Sequence, residues 1–233
     1  IPGSRTLTYN YGKITDSQNK ITYNYGTIEK NNASVDTNYS IIENNTGTIN
    51  RYSSDATLNE NSGTINTLSK GSVRKNTGKI NDVNDKNVTI YNYAGGTVGK
   101  SNDAWGVRAC TVWNMGGIVQ GYSSYADNVK VYNFEGGTVS NLRKGSVIYN
   151  LGGTVTDSST AQVINCYKVN INSSFVETWN NKFIINPDTG EVWLPEGETG
   201  TFTVKDGTPQ LYVTGATLTK QSDTSRRPSG LRK

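Results

Sequence analysis

The chain reads Asn10-Tyr11-Gly12-Lys13-Ile14, and then Asn24-Tyr25-Gly26-Thr27-Ile28. The same Asn-x-Gly-x-Ile/Val figure returns on Asn45, Asn61 and Asn76, with Gly47, Gly63 and Gly78 in the third place. Longer versions are anchored on Asn92, Asn114, Asn133 and Asn150, and close on Val98, Val119, Val139 and Val155. Successive anchors are separated by 14, 21, 16, 15, 16, 22, 19 and 17 residues. Self-similarity at so short a period is the signature of a solenoid.

Each repeat pairs a β-prone run with a turn. Asn87-Val88-Thr89-Ile90-Tyr91, Asn128-Val129-Lys130-Val131-Tyr132 and Ser146-Val147-Ile148-Tyr149 have the β-branched and aromatic content of strands. Asn and Gly follow, with Gly12, Gly26, Gly47, Gly63 and Gly78 expected to supply a positive φ at the bend. No window has a helical period, which disfavours α/β solenoids and leucine-rich horseshoes. Stacked units of this kind form a parallel β-helix in which equivalent residues lie above one another. A single column of Asn amides, Asn10 to Asn150, is expected to bond from rung to rung. A column of Ile and Val from Ile14 to Val155 is expected to fill the inside. About nine rungs at ~4.8 Å make a rod of roughly 45 Å. Parallel crossovers are nearly always right-handed, and the same hand is expected here.

The rhythm stops after Cys166. Lys182-Phe183-Ile184-Ile185-Asn186 and Glu191-Val192-Trp193-Leu194 flank Pro187-Asp188-Thr189-Gly190, a hairpin signal. Further runs, Thr201 to Val204, Gln210 to Val213 and Ala216 to Leu218, are broken by Asp206-Gly207 and Gly215. The organisation expected is a parallel β-helix over 1–173, a small antiparallel β unit over 174–220 and a basic tail over 221–233. A solenoid needs its open end covered, so the small unit is expected to act as a cap.

The pattern resembles the right-handed parallel β-helix superfamily with the pectate-lyase-like fold. It is also similar to Asn-Gly-Thr-Ile/Val repeat regions of bacterial surface proteins and of some phage tail proteins. The resemblance covers about residues 5–170 and implies architecture rather than activity, because β-helices host many functions.

Composition narrows the possibilities. At 33% hydrophobic residues the chain is too apolar for disorder, yet too polar for one large globular core. A solenoid, which buries a narrow strip per rung, suits that balance. No run reaches the length of a membrane span. The chain opens on Ile1 without a Met or an apolar leader, which points to an upstream segment removed or lying elsewhere. The net charge of +4 owes much to Arg226, Arg227, Arg232 and Lys233. No aromatic residues interleave with that tail, so nucleic acid is not expected as a partner. Cys110 and Cys166 should sit several rungs apart, too far for a disulfide, and are read as buried thiols.

There is no His. That excludes Ser-His-Asp and Cys-His devices and removes the commonest metal ligand. No cofactor, metal or catalytic residue is assigned. A polysaccharide lyase or hydrolase of the β-helix class is the alternative, and it would need Asp residues gathered from neighbouring rungs. Asp82, Asp85, Asp103 and Asp127 hold no fixed offset from the anchor Asn, nor do Arg143, Lys144 and Asp157.

The aromatic residues form a clearer pattern. Tyr91, Trp113, Tyr132 and Tyr149 precede the anchor Asn on four successive rungs. Tyr93, Met115, Phe134 and Leu151 follow it, and Tyr9, Tyr11, Tyr23 and Tyr25 flank the first two anchors. Asn44, Glu60 and Lys75 hold the preceding position on central rungs, which sets that column outward. The double glycines Gly95-Gly96, Gly116-Gly117 and Gly136-Gly137 could instead shift the strand phase and turn the rings inward. Outward rings on Tyr91, Tyr93, Trp113, Tyr132, Phe134 and Tyr149 would be an adhesive face for a glycan or protein. One Thr per rung, interrupted by Lys13, Lys79 and Ile118, is too sparse for an ice-binding array. The reading is a non-enzymatic protein, secreted or on a cell or virion surface. Self-assembly into a fibre or lattice is a further alternative.

Overall fold

A computed structural model describes residues 6–99, 106–121, 128–169, 176–179 and 182–204. The chain divides into two compact units, 1–163 and 164–233. All regular structure among the described residues is β.

The first unit is a parallel solenoid of about nine turns built from two sheets. One sheet begins Thr6–Asn10, Lys20–Asn24, Ser34–Asn38 and Thr48–Tyr52, and runs on to Thr154–Thr156. The other begins Lys13–Ser17, Thr27–Asn31 and Ile42–Asn45, and includes Thr89–Tyr93, Thr111–Met115, Lys130–Phe134 and Val147–Leu151. The chain alternates between them. In the early turns, five strand residues and a two-residue connection make half a turn, and a second seven complete it.

In Lys20–Asn24, Thr27–Asn31 and Ser34–Asn38 the second and fifth residues are buried, as Ile21 and Asn24 are. A flat strand would bury alternate residues. Here the fifth residue sits at the bend, so the chain turns around its amide. Ile28, Ile42, Leu58, Val73, Ile90, Val112, Val131 and Ile148 fill the second sheet's inner face. Ile21, Val35, Ile49, Ile65, Ile80, Val98, Val119 and Val139 fill the first.

There are therefore two Asn ladders, not one. Asn10 donates to Asn24 at 2.7 Å and Asn24 to Asn38 at 2.6 Å along the first sheet. Asn31 donates to Asn45 at 2.8 Å and Asn45 to Asn61 at 2.7 Å along the second. That second ladder continues through Asn76, Asn92, Asn114 and Asn133 to Asn150. The 21-residue interval between Asn24 and Asn45 is thus a turn and a half, and it crosses from one sheet to the other. The apolar column divides likewise: Ile14 and Ile28 are on the second sheet, Ile49 to Val155 on the first. The first ladder ends where Tyr52 takes Asn38's place, followed by Leu68 and Val83, all fully buried. Burial pushes the Tyr52 hydroxyl up to about 12.

The glycine of the motif has a different task from the one expected. Gly12, Gly26, Gly47, Gly63 and Gly78 are not at positive φ. A Cβ on Gly63 would lie 2.1 Å from the Gly47 carbonyl oxygen of the turn below. Gly78 meets Gly63 in the same way, also at 2.1 Å. Glycine is required by the closeness of the turns. In the longer motifs it is the first glycine of each pair that takes a positive φ, such as Gly95 at 87° and Gly116 at 97°.

The second unit contains an antiparallel sheet. Val192–Pro195 pairs with Gln162–Val169 on one side and with Ile184–Ile185 on the other. The expected hairpin is present. Asn186 Oδ1 accepts from the Asp188 and Thr189 amides at 2.9 and 3.2 Å, and Gly190 takes φ 71°. Val169, Val192 and Leu194 form its core with Phe183, Ile185 and Phe202. Val176–Trp179 pairs with Phe202–Val204. The basic tail and the runs after Val204 lie outside the described residues.

Two contrasts test this assignment by urea unfolding. Asn61→Ala strands a donor on Asn45 and an acceptor on Asn76, and should cost about 2–4 kcal/mol. Asn66→Ala breaks surface amide pairs with Asn50 and Asn81, whose groups can turn to water, and should cost less than ~1 kcal/mol. Gly63→Ala should cost more than ~3 kcal/mol, because backbone must move. Gly12→Ala, whose Cβ meets nothing nearer than Asn10 Oδ1 at 4.0 Å, should be neutral or slightly stabilising.

Candidate functional site

Between Ser72–Asn76 and Thr89–Tyr93 the second sheet loses one residue. Val73 lies opposite Ile90 and Asn76 opposite Asn92, with a register shift between. In Thr89–Tyr93 and Thr111–Met115 burial then alternates in the ordinary way. Ile90 and Asn92 are buried while Tyr91 and Tyr93 point outward and are half-buried. The doubled glycines thus accompany a phase change, but one that leaves the ring column outside.

Tyr91, Trp113, Tyr132 and Tyr149 are in exact strand register. Their rings stack along the axis, with centroids 6.0, 4.3 and 5.2 Å apart and planes within 28° of parallel. Each inner ring therefore gives both faces to its neighbours. What remains for solvent is a line of ring edges and phenol hydroxyls at a spacing of one turn, ~4.8 Å. The column that follows the anchor Asn is less uniform. Tyr93 and Met115 are half-buried, but Phe134 is only 4% exposed and Leu151 is fully buried. Phe134 lies 6.1 Å from Trp113, ring to ring, so it supports the stack and is not part of the exposed face expected for it.

A second aromatic patch lies on the first three turns. Tyr9 and Tyr23 stack at 5.4 Å on the first sheet. Tyr11, Tyr25 and Tyr39 stack in the connections beside it, at 5.3 and 5.1 Å. Tyr9, Tyr11, Tyr25 and Tyr39 are 50, 74, 44 and 48% exposed. Tyr39 escaped the motif reading because Ser40 stands where the other repeats have glycine. Desolvation in the stack, and then the neighbouring Tyr39 and Tyr11, hold the Tyr25 hydroxyl above its ordinary range.

Polar ladders also run along the outer surface. Asn81 donates to Asn66 at 2.7 Å, Asn66 to Asn50 at 2.7 Å and Asn50 to Asp36 at 2.9 Å. Lys20 pairs with Asp36 and Lys75 with Glu60, each at 2.9 Å, and Lys13 with Glu29. Hydrogen bonding to Glu29 holds the Lys13 ammonium above its usual value, and the reciprocal bond holds the Glu29 carboxyl below its own. Such exposed pairs contribute little each.

Of the carboxylates considered for hydrolysis, Asp82 and Asp85 are among the described residues and belong to different elements. Asp82 lies on the first sheet in register with Thr67, while Asp85 belongs to the following connection, where Oδ1 accepts from the Asn87 amide at 2.8 Å. Asp103 and Asp127 lie outside the described residues. Arg143, Lys144 and Asp157 are exposed connection residues. Among the described residues, no three of His, Cys, Asp and Glu could hold a metal ion. The Thr residues divide between sheets, and Lys79 and Ile118 interrupt the first-sheet column. No helix among the described residues is long and apolar enough to cross a membrane.

Comparison of the chain with protein-family models, with curated proteins and with solved structures finds no match. The class defined by the geometry is a two-sheet parallel β-solenoid with in-register polar and aromatic columns.

Cys110 and Cys166 are both free and buried, and desolvation pushes each thiol up to about 12. The folded protein should therefore react slowly with a disulfide reagent at pH 8, and two thiols per chain should titrate after unfolding without reductant. The unfolded thiols ionise near the ordinary value of 9.0, so the folded state binds more protons above that pH. Stability should fall as pH rises from about 9 towards 12, readable as a falling urea midpoint.

Proposed function

We propose that the solenoid is a non-enzymatic display scaffold at a cell or virion surface, with the Tyr91, Trp113, Tyr132 and Tyr149 column as its adhesive face for a glycan or protein. The observation that carries this reading is the register of the four rings, one per turn on a single outward face. A core does not need that arrangement, since Ile90, Val112, Val131 and Ile148 already fill the inside at the same level. Because the ring faces are turned on each other, the contact is made by ring edges and hydroxyls. That favours an elongated partner rich in hydrogen-bonding groups, lying along the axis, over a single sugar stacked flat on one ring.

Trp113→Ala opens the middle of the stack. It should lower affinity at least tenfold on a panel of immobilised extracellular polysaccharides and surface proteins, while melting only a few degrees earlier. Unchanged affinity for a partner bound by the native protein would remove the column from the interface. A collapse of the melting transition would make Trp113 a structural ring.

A further inference from the structure

The first three turns hold five tyrosines in two parallel files, Tyr9 over Tyr23 and Tyr11 over Tyr25 over Tyr39. Neighbours in each file are 5.1 to 5.4 Å apart, with planes 9 to 17° from parallel. Four of the five are at least 44% exposed, so a diffusible oxidant reaches them. A bend in the chain separates Tyr9 from Tyr11, yet their rings also lie within 6.1 Å. We infer that this patch is an oxidative cross-linking site, at which adjacent turns of the solenoid become joined by dityrosine bonds.

The chemistry needs a one-electron oxidant, here hydrogen peroxide acting through a haem peroxidase. Each of two phenols loses one electron and one proton to become a phenoxyl radical. The radicals join through a carbon ortho to each oxygen. The two ring protons at the new bond then move to the oxygens and restore both aromatic rings. The sum is two phenols and one peroxide giving one biphenol and two waters. The peroxide is reduced, and the pair of tyrosines has lost two hydrogens. Proximity decides the partner. Radicals one turn apart, ~4.8 Å along the axis, meet as an intramolecular pair at high effective concentration. The Tyr11 file has three members, so pairwise coupling joins Tyr25 to either Tyr11 or Tyr39, and Tyr23 joins Tyr9.

The resulting bonds would clip residues 14 positions apart and lock the turns at this end of the solenoid. Tyr52, being buried, is shielded from the same reagent. A surface scaffold exposed to peroxide would gain rigidity without a disulfide, which its two free thiols do not form.

The test treats dilute native protein with peroxidase and peroxide, and maps cross-linked peptides by mass spectrometry. The expected result is intrachain Tyr11–Tyr25 or Tyr25–Tyr39 links together with Tyr9–Tyr23. Their yield should be unaffected by tenfold dilution and lost when the chain is unfolded in urea before oxidation. Tyr25→Phe retains a stacking ring but cannot form a phenoxyl, and leaves Tyr11 and Tyr39 about 9.6 Å apart. It should abolish links in that file and spare Tyr9–Tyr23, which reports that the fold is intact. Three results would overturn the inference: links only between chains, the same links at equal yield from unfolded protein, or oxidation that leaves these tyrosines uncoupled.

Discussion

The separation of neighbouring turns governs the rest of this solenoid. Every side chain at the bend has to coexist with its equivalent ~4.8 Å away. A buried carboxamide brings two donor protons and an acceptor, and all of them need partners. Asn24 shows how they are met. One amide proton goes to Gly26 O of its own turn at 2.9 Å, and the other to Asn38 Oδ1 at 2.6 Å. Its own Oδ1 receives Asn10 Nδ2 at 2.7 Å. The amide is satisfied because the same residue stands above and below it. Leu in one turn would leave a donor on one neighbour and an acceptor on the other unmet, and Asp would leave the acceptor, so the column is self-enforcing.

The same constraint explains what the solenoid tolerates. Asn92 and Asn114 are 22 residues apart, and Asn31 and Asn45 only 14, yet both pairs bond at 2.8 Å. Extra residues are absorbed in connections, where chain entropy rises only slowly with length. The strand itself can lose a residue, as it does between Val73 and Asn92, provided Ile and Asn stay in line. The connection then lengthens and needs two glycines. The first adopts positive φ, and the second clears the ladder: a Cβ on Gly117 would lie 2.2 Å from Asn92 Nδ2.

The periodic Asn-x-Gly announced the solenoid, and Pro187-Asp188-Thr189-Gly190 announced the hairpin. The doubling of the ladder was not legible from glycine, because Ala33 and Ser40 occupy the equivalent places after Asn31 and Asn38. Reading the seven-residue half-turn through Ile28, Val35, Ile42 and Ile49 would have found it. Glycine's role was also misplaced. A motif cannot distinguish a residue chosen for its φ from one chosen because a carbonyl lies 2.1 Å from where its Cβ would be. The ring column was visible as a spacing, whereas the burial of Phe134 depended on the neighbouring turn's Trp113 and was not.

Stacking like on like has a different consequence inside and outside the coil. Inside, it satisfies amides and fills volume. Outside, it arranges whatever the sequence supplies into files: Asp36 with three Asn residues, tyrosines on the first turns, and three tyrosines with one Trp on the later ones. Rings in such a file stabilise each other by an amount typical of cross-strand pairs, about 0.2–1 kcal/mol each. That alone would suit any flat apolar residue, and Val or Ile would serve the strands as well. What distinguishes Tyr and Trp from Val and Ile is a polar edge with a hydrogen-bonding group, repeated at a fixed pitch. On the proposed reading that edge is what an elongated partner would meet, and the phenols of the first turns are the groups through which an oxidant would join one turn to the next.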